Sequence, residues 1–144
     1  LLDLDIKHVT RMGILLYQVD AFTSTPFSGN SAAVCVLDTP ASDSWMQNVA
    51  LEMNLSETSF VYPLESDSSQ KLFQLRWFTP TTEVDLCGHA TLATAHVLWE
   101  IGQLLPNEQA RFSTKSGILT ADLKSPWIEL DFPAMPPSKV DGDS

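Results

Sequence analysis

Cys87-Gly88-His89 places a thiol, a glycine and an imidazole at consecutive positions, just ahead of the apolar run that starts at Ala90. If that run is a helix, its first N–H groups have no intrahelical partner and its dipole is positive there, which suits a small carboxylate. Gly88 would let a ligand approach the backbone, and His89 can donate a hydrogen bond or move a proton near neutral pH. The same residues also read as a turn glycine and a solvated helix-end histidine. Cys87 is either a thiol base or nucleophile activated by the helix end, or an inert buried residue, and the second reading is favoured. A metal site from Cys87, His89 and His96 lacks further ligands at recognisable spacing, so no metal is expected.

Asn54-Leu-Ser-Glu-Thr58 carries a second candidate, because Glu57 falls between a helix end and a strand, where side chains often point into clefts. A partly buried Glu57 could act as general base on a carbon-bound proton beside an acid group; the alternative is a solvated turn carboxylate. Ser56 reads as either a cap or a ligand contact. Phe27-Ser-Gly-Asn30 is a third candidate, in which Asn30 offers an amide to a ligand or simply serves the turn.

These residues need elements to hold them. Ile14 to Phe22 alternates with period two and Ala32 to Leu37 is a short apolar strand, with a turn-rich loop from Thr23 to Asn30 between them. Ser44 and Gln47 have capping-box spacing, and Trp45, Val49 and Met53 recur on one face, which predicts a helix over 43–53 stopped by Asn54. Thr58 to Tyr62 and Lys71 to Phe78 read as a hairpin around a polar 65–70 loop. After a turn at Thr81 to Asp85, the segment from Ala90 to Ile101 is apolar almost all the way round, so protein should surround it. Strands follow at Ala110 to Thr114, Ile118 to Leu123 and Trp127 to Phe132.

The chain has 144 residues, 44% of them hydrophobic, enough for one domain with its own core. Its net charge of −10, with no basic run, disfavours nucleic acid and anionic membrane surfaces as partners. Cys35 and Cys87 form no disulfide framework, no bilayer-length apolar run occurs, and a cytoplasmic location is expected. The chain opens with Leu1, and Met12 stands just before the first strand pattern, so residues 1–11 are taken as an extension. The domain is then 12–134, with 135–144 having the composition of a linker towards a second domain.

Val19-Asp-Ala-Phe22, Phe27-Ser-Gly-Asn30, Glu52-Met-Asn-Leu-Ser-Glu-Thr58, Arg76-Trp-Phe-Thr-Pro80 and Glu83-Val-Asp-Leu-Cys-Gly-His-Ala-Thr-Leu92 stand in one order. That ordered set resembles the PhzF-like (phenazine biosynthesis-like) family, which is similar in fold to diaminopimelate epimerase and proline racemase. The resemblance implies an α+β fold, in which a curved, mostly antiparallel sheet wraps a central apolar helix. It also implies a second such domain across an active site, and a homodimer. The implied activity is isomerase chemistry: cofactor-free proton transfer on a small cyclic amino or hydroxy acid, as in isomerisation of dihydro-3-hydroxyanthranilate. Glu57 matches the family's catalytic glutamate, Gly88 and His89 its substrate-contacting pair, and Asn30 and Ser56 further contacts. The competing readings are a non-catalytic small-ligand or protein-interaction domain that retains the fold, and a cysteine-dependent racemase or epimerase using Cys87.

Overall fold

The computed structural model describes residues 5–11, 14–21, 30–66, 69–125 and 127–131; for 5–11, Ala21 and Asn30 only the backbone is described. The strands are β1 (Asp5–Arg11), β2 (Ile14–Ala21), β3 (Asn30–Val36), β4 (Glu57–Leu64), β5 (Leu72–Phe78), β6 (Glu83–Val84), β7 (Ala110–Thr114), β8 (Gly117–Lys124) and β9 (Trp127–Asp131). The helices are α1 (Asp43–Met53) and α2 (Gly88–Glu100). One sheet runs β1-β2-β3-β4-β5-β7-β8-β9, with β6 added to the end of β5. The β3/β4 and β5/β7 pairings are parallel, and the other described pairings are antiparallel.

Strand alternation divides the sheet into two packed faces. Tyr17, Val19, Ala32, Val34, Val61, Leu75 and Trp77 point to α2, joined by Ala110, Phe112, Leu119 and Ala121 from the far strands. Leu16, Ala33, Cys35, Phe60 and Phe78 point the other way, towards Met46 and Ala50 of α1. The sheet curls around α2, which touches β2, β3, β4 and β9. Hence Ala90 to Ala95, Val97 and Leu98 are all buried, as the all-round apolar pattern predicts. The buried hydroxyls of α2 turn inward: Thr91 Oγ1 donates to the Cys87 carbonyl and Thr94 Oγ1 to the Ala90 carbonyl, both at 2.7 Å. This is the α+β architecture expected, a sheet wrapped around a central helix.

Several boundaries differ from expectation for local reasons. The cap of α1 is Ser42, whose Oγ accepts from Trp45 N at 3.2 Å. Gln47, expected to close a capping box with Ser44, instead reaches Thr79 O at 2.9 Å. Residues 5–11, set aside as an extension, form β1 and pair along β2 from Asp5↔Asp20 to Arg11↔Ile14. Glu83–Val84 adds a short strand within the expected turn, and Asn30, expected to end the loop, opens β3. The loop from Thr23 to Gly29 and the linker at 135–144 lie outside the described residues.

Asn54 stops α1 in the left-handed conformation, φ 52° and ψ 41°, with its N–H on Ala50 O at 3.0 Å. A β-carbon-bearing residue without a local polar side chain is strained there. Asn54→Ala is therefore expected to cost about 1 kcal/mol and Asn54→Gly to be neutral or stabilising in urea unfolding. Equal costs for the two would contradict this role of the backbone.

Candidate active site

Alternation also decides where Glu57 goes. It shares parity with Ser59 and Val61, so it lies on the α2 face at the very start of β4, opposite Ala32 in the parallel β3/β4 register. Ser59 sits one step deeper, its Oγ donating to the carbonyl of Ala90 at 3.5 Å. Strand β4 thus runs past the first turn of α2, and Glu57 meets the helix N-terminus.

There Glu57 Oε1 lies 2.8 Å from His89 Nε2, with both side chains more than four-fifths buried. Neither atom has a partner in hydrogen-bond geometry among the described residues, although both are buried. The pair is close without a directed N–H···O bond, and partly satisfied groups of this kind cost about 1–3 kcal/mol. On the other edge of the ring, His89 Nδ1 lies 3.5 Å from Cys87 Sγ. The imidazole therefore stands between a carboxylate and a thiol, and the donor atoms of all three residues fall within 4.8 Å of one another.

The helix end contributes its backbone. Cys87 is the N-cap residue with extended φ and ψ and no side-chain cap bond. The first ladder bond runs from Thr91 N to Cys87 O at 3.1 Å, which leaves the N–H groups of Gly88, His89 and Ala90 ahead of the ladder. Burial pushes the Cys87 thiol up to about 11; the nearby Glu57 carboxylate acts in the same direction, and the amides of Ala90 and His89 oppose both without prevailing. A thiol so placed is protonated at neutral pH and is a poor nucleophile. Burial likewise raises Cys35 to about 12, on the α1 face of β3.

Glu57, Gly88 and His89, three of the candidates read from sequence, thus come together, with Cys87 against them. Ser56 is exposed, one residue before Glu57 and outside the three-donor group. Asn30 stands at the same end of β3, two residues before the Ala32↔Glu57 pair, but its side chain is not described. His96, considered as a metal ligand in sequence, is half-buried further along α2 and does not join the group; burial lowers its pKa against the pull of Glu100.

A polar network that sequence reasoning missed fixes the approach to α2. Arg76 grips Glu83 twice, Nε to Oε2 at 2.8 Å and Nη2 to Oε1 at 2.9 Å, and reaches Asp43 of α1 with Nη1 at 2.9 Å. Lys115 adds a contact to Glu83 at 2.9 Å, and Ser116 Oγ donates to Asp85 O at 2.7 Å. Opposite charges flanking the Thr79–Thr82 turn were the available signal. The network ties β5, β6, α1 and the β7–β8 turn to the segment that delivers Cys87-Gly88-His89. It also occupies Arg76 on the α1 face of β5, away from Glu57.

A family model for phenazine biosynthesis-like proteins (PhzC-PhzF) matches residues 19–143. The chain belongs to the phenazine biosynthesis-like family. It is 57% identical over 124 residues to an uncharacterized isomerase of Halalkalibacterium halodurans, covering 86% of this chain and 45% of that protein. It is 44% identical over 128 residues to the human phenazine biosynthesis-like domain-containing protein, covering 87% of this chain and 44% of that one. Among solved structures, a PhzF-family protein of Enterococcus faecalis superposes with a TM-score of 0.72 at 40% identity, over 88% of this chain and 50% of the other. A predicted epimerase of Pseudomonas aeruginosa, 23% identical with a TM-score of 0.60 over 86% of this chain and 46% of the other, shares the fold. The chain spans about half the length of the curated relatives it matches. In this phenazine biosynthesis-like chain the family match includes every candidate site residue from Asn30 to His89. No helix among the described residues is long and apolar enough to cross a membrane.

The Arg76 network carries a pH signature. The double hydrogen bond from Arg76 holds Glu83 down from 4.5 to about 2, against the opposing effect of burial and with help from Lys115. A carboxylate depressed in the folded state contributes stability above its ordinary range, and that contribution is lost as the pH falls towards about 2. Denaturant unfolding between neutral pH and pH 2 should show this loss in the wild type and a flatter profile in Glu83→Gln. Arg76→Met should cost on the order of 2 kcal/mol at neutral pH. An unchanged acid slope in Glu83→Gln would remove Glu83 from the account.

Proposed function

We propose that this domain supplies the general acid–base half of an isomerase that moves a proton on a small cyclic amino or hydroxy acid without a cofactor. The reading is carried by Glu57 Oε1 lying 2.8 Å from His89 Nε2 at the start of α2. The substrate carboxylate rests on the N–H groups ahead of the α2 ladder, where the helix dipole favours negative charge. That places ring carbons beside Glu57. The carboxylate takes a proton from a carbon activated by conjugation, and the C–H electron pair enters the adjacent π-system. Glu57, now neutral, returns the proton to a second carbon as the double bonds shift; no electron is gained or lost. His89 holds the substrate and the Glu57 carboxyl in register, and Asn30 and Ser56 are further substrate contacts in this reading. The full-length protein, a homodimer in this reading, closes the cleft with its other half. The protonated thiol of Cys87 argues against Cys87 as the base that takes the proton.

The family relatives named as isomerases support the class of reaction, and the geometry of Glu57 supports the residue. The test is deuterium incorporation from heavy water at an activated ring carbon of cyclic amino and hydroxy acids, using the full-length protein. Glu57→Gln, close in shape but unable to take the proton, is expected to lower exchange by about 100-fold or more while binding of the carboxylate persists. Cys87→Ser is expected to retain most of it. Undiminished exchange in Glu57→Gln would rule out the assigned role.

A further inference from the structure

We propose that Glu57, Cys87 and His89 form a binding site for a thiophilic divalent cation of the zinc class, which occupies the cleft as a reversible blocker of the acid–base pair. The donor set is the first argument. A thiol, an imidazole and a carboxylate are the three side chains that zinc takes, and here their ligand atoms lie within 4.8 Å of one another. Ligands at roughly 2.0–2.3 Å from a tetrahedral zinc stand about 3.3–3.8 Å apart, so the Glu57–His89 pair, now at 2.8 Å, opens slightly, and a rotation of the imidazole brings Cys87 Sγ, now 3.5 Å from Nδ1, onto the same ring nitrogen. The second argument is the unmet demand of the site. Glu57 Oε1 and His89 Nε2 are buried without a hydrogen-bond partner among the described residues, and a cation would satisfy the carboxylate oxygen and a ring nitrogen together.

Charge supports the assignment. On coordination the Cys87 S–H bond breaks, its proton passes to solvent, and the sulfur donates to the metal. The thiolate and carboxylate then carry two negative charges against a divalent cation. Arg76 lies on the opposite face of the sheet, bound to Glu83 and Asp43, and does not neutralise Glu57. Three protein ligands leave a fourth position open, as zinc sites that accept a water or a substrate group do. A soft thiolate selects zinc and cadmium over magnesium and calcium. Cys35, on the α1 face of the sheet, belongs to the other core cluster and contributes nothing to this site.

The site shares residues with the proton-transfer reading but is read without turnover, so the two fail independently. The experiment is titration of the full chain with cadmium ion alone, following the ultraviolet thiolate-to-cadmium charge-transfer band. The expected result is saturation at one equivalent, with the band lost in Cys87→Ser and retained in Cys35→Ala. Glu57→Gln and His89→Asn should each weaken binding by at least about tenfold, and magnesium should not compete where zinc does. If Cys87→Ser loses its folded circular dichroism, the two partly exposed ligands Glu57 and His89 decide the matter. A band that persists in Cys87→Ser, that disappears in Cys35→Ala, or that is indifferent to both Glu57→Gln and His89→Asn overturns the proposal.

Discussion

The structure depends on burying most of α2. Ala90 to Ala95, Val97 and Leu98 are buried and only the edge carrying His89, His96 and Glu100 stays partly open, so the sheet must curl until β2, β3, β4 and β9 all reach the helix. A helix enclosed in this way meets polar groups at its ends. At the N-terminal end the backbone offers N–H groups and a positive dipole, and the neighbouring strands decide which side chains meet them. Small residues make the enclosure possible: Ala32, Ala90, Ala93, Ala95, Ala110 and Ala121 all lie in this core and allow close backbone approach.

From that constraint the site follows by parity. Any residue of β4 on the α2 face lies near the helix, and the first of them is Glu57. The other face belongs to α1 and its aromatic packing, where Phe60 meets Trp45 and Phe78 edge-on at 6.0 and 5.5 Å. Arg76 sits on that second face, its guanidinium 5.4 Å from the Phe78 ring and bound to Glu83 and Asp43. Division of labour between the faces keeps the strongest ion pairs structural. It leaves Glu57 beside an imidazole and a thiol, in surroundings suited to proton transfer.

Much of this was legible in the residues before any coordinates. The all-round apolar run from Ala90 and the stop at Asn54 are local signals, and both correspond to what the chain does. Cys87-Gly88-His89 at a helix start was readable for the same reason. The meeting of Glu57 with His89 was not readable from spacing, because the chain passes through β4, β5 and β6 between them and their distance is set by sheet curl. Its place between a helix end and a strand made Glu57 a candidate, and the family's motifs gave it the catalytic role. Strand β1 was missed because Leu1 and Met12 suggested that the segment ahead of Met12 lay outside the domain. Strand β6 escaped because two residues carry no period. The link from Arg76 to Asp43 depends on α1 packing across β5, which local sequence does not encode.

The central claim is that Glu57 and His89 act as one unit at the end of α2. A double-mutant cycle on heavy-water exchange in the full-length protein tests it most directly. If the two side chains work together, Glu57→Gln and His89→Asn each remove most of the exchange, and the double variant loses little beyond the worse single variant. Losses that simply add would contradict the account, because independent contributions are what two unconnected residues would give.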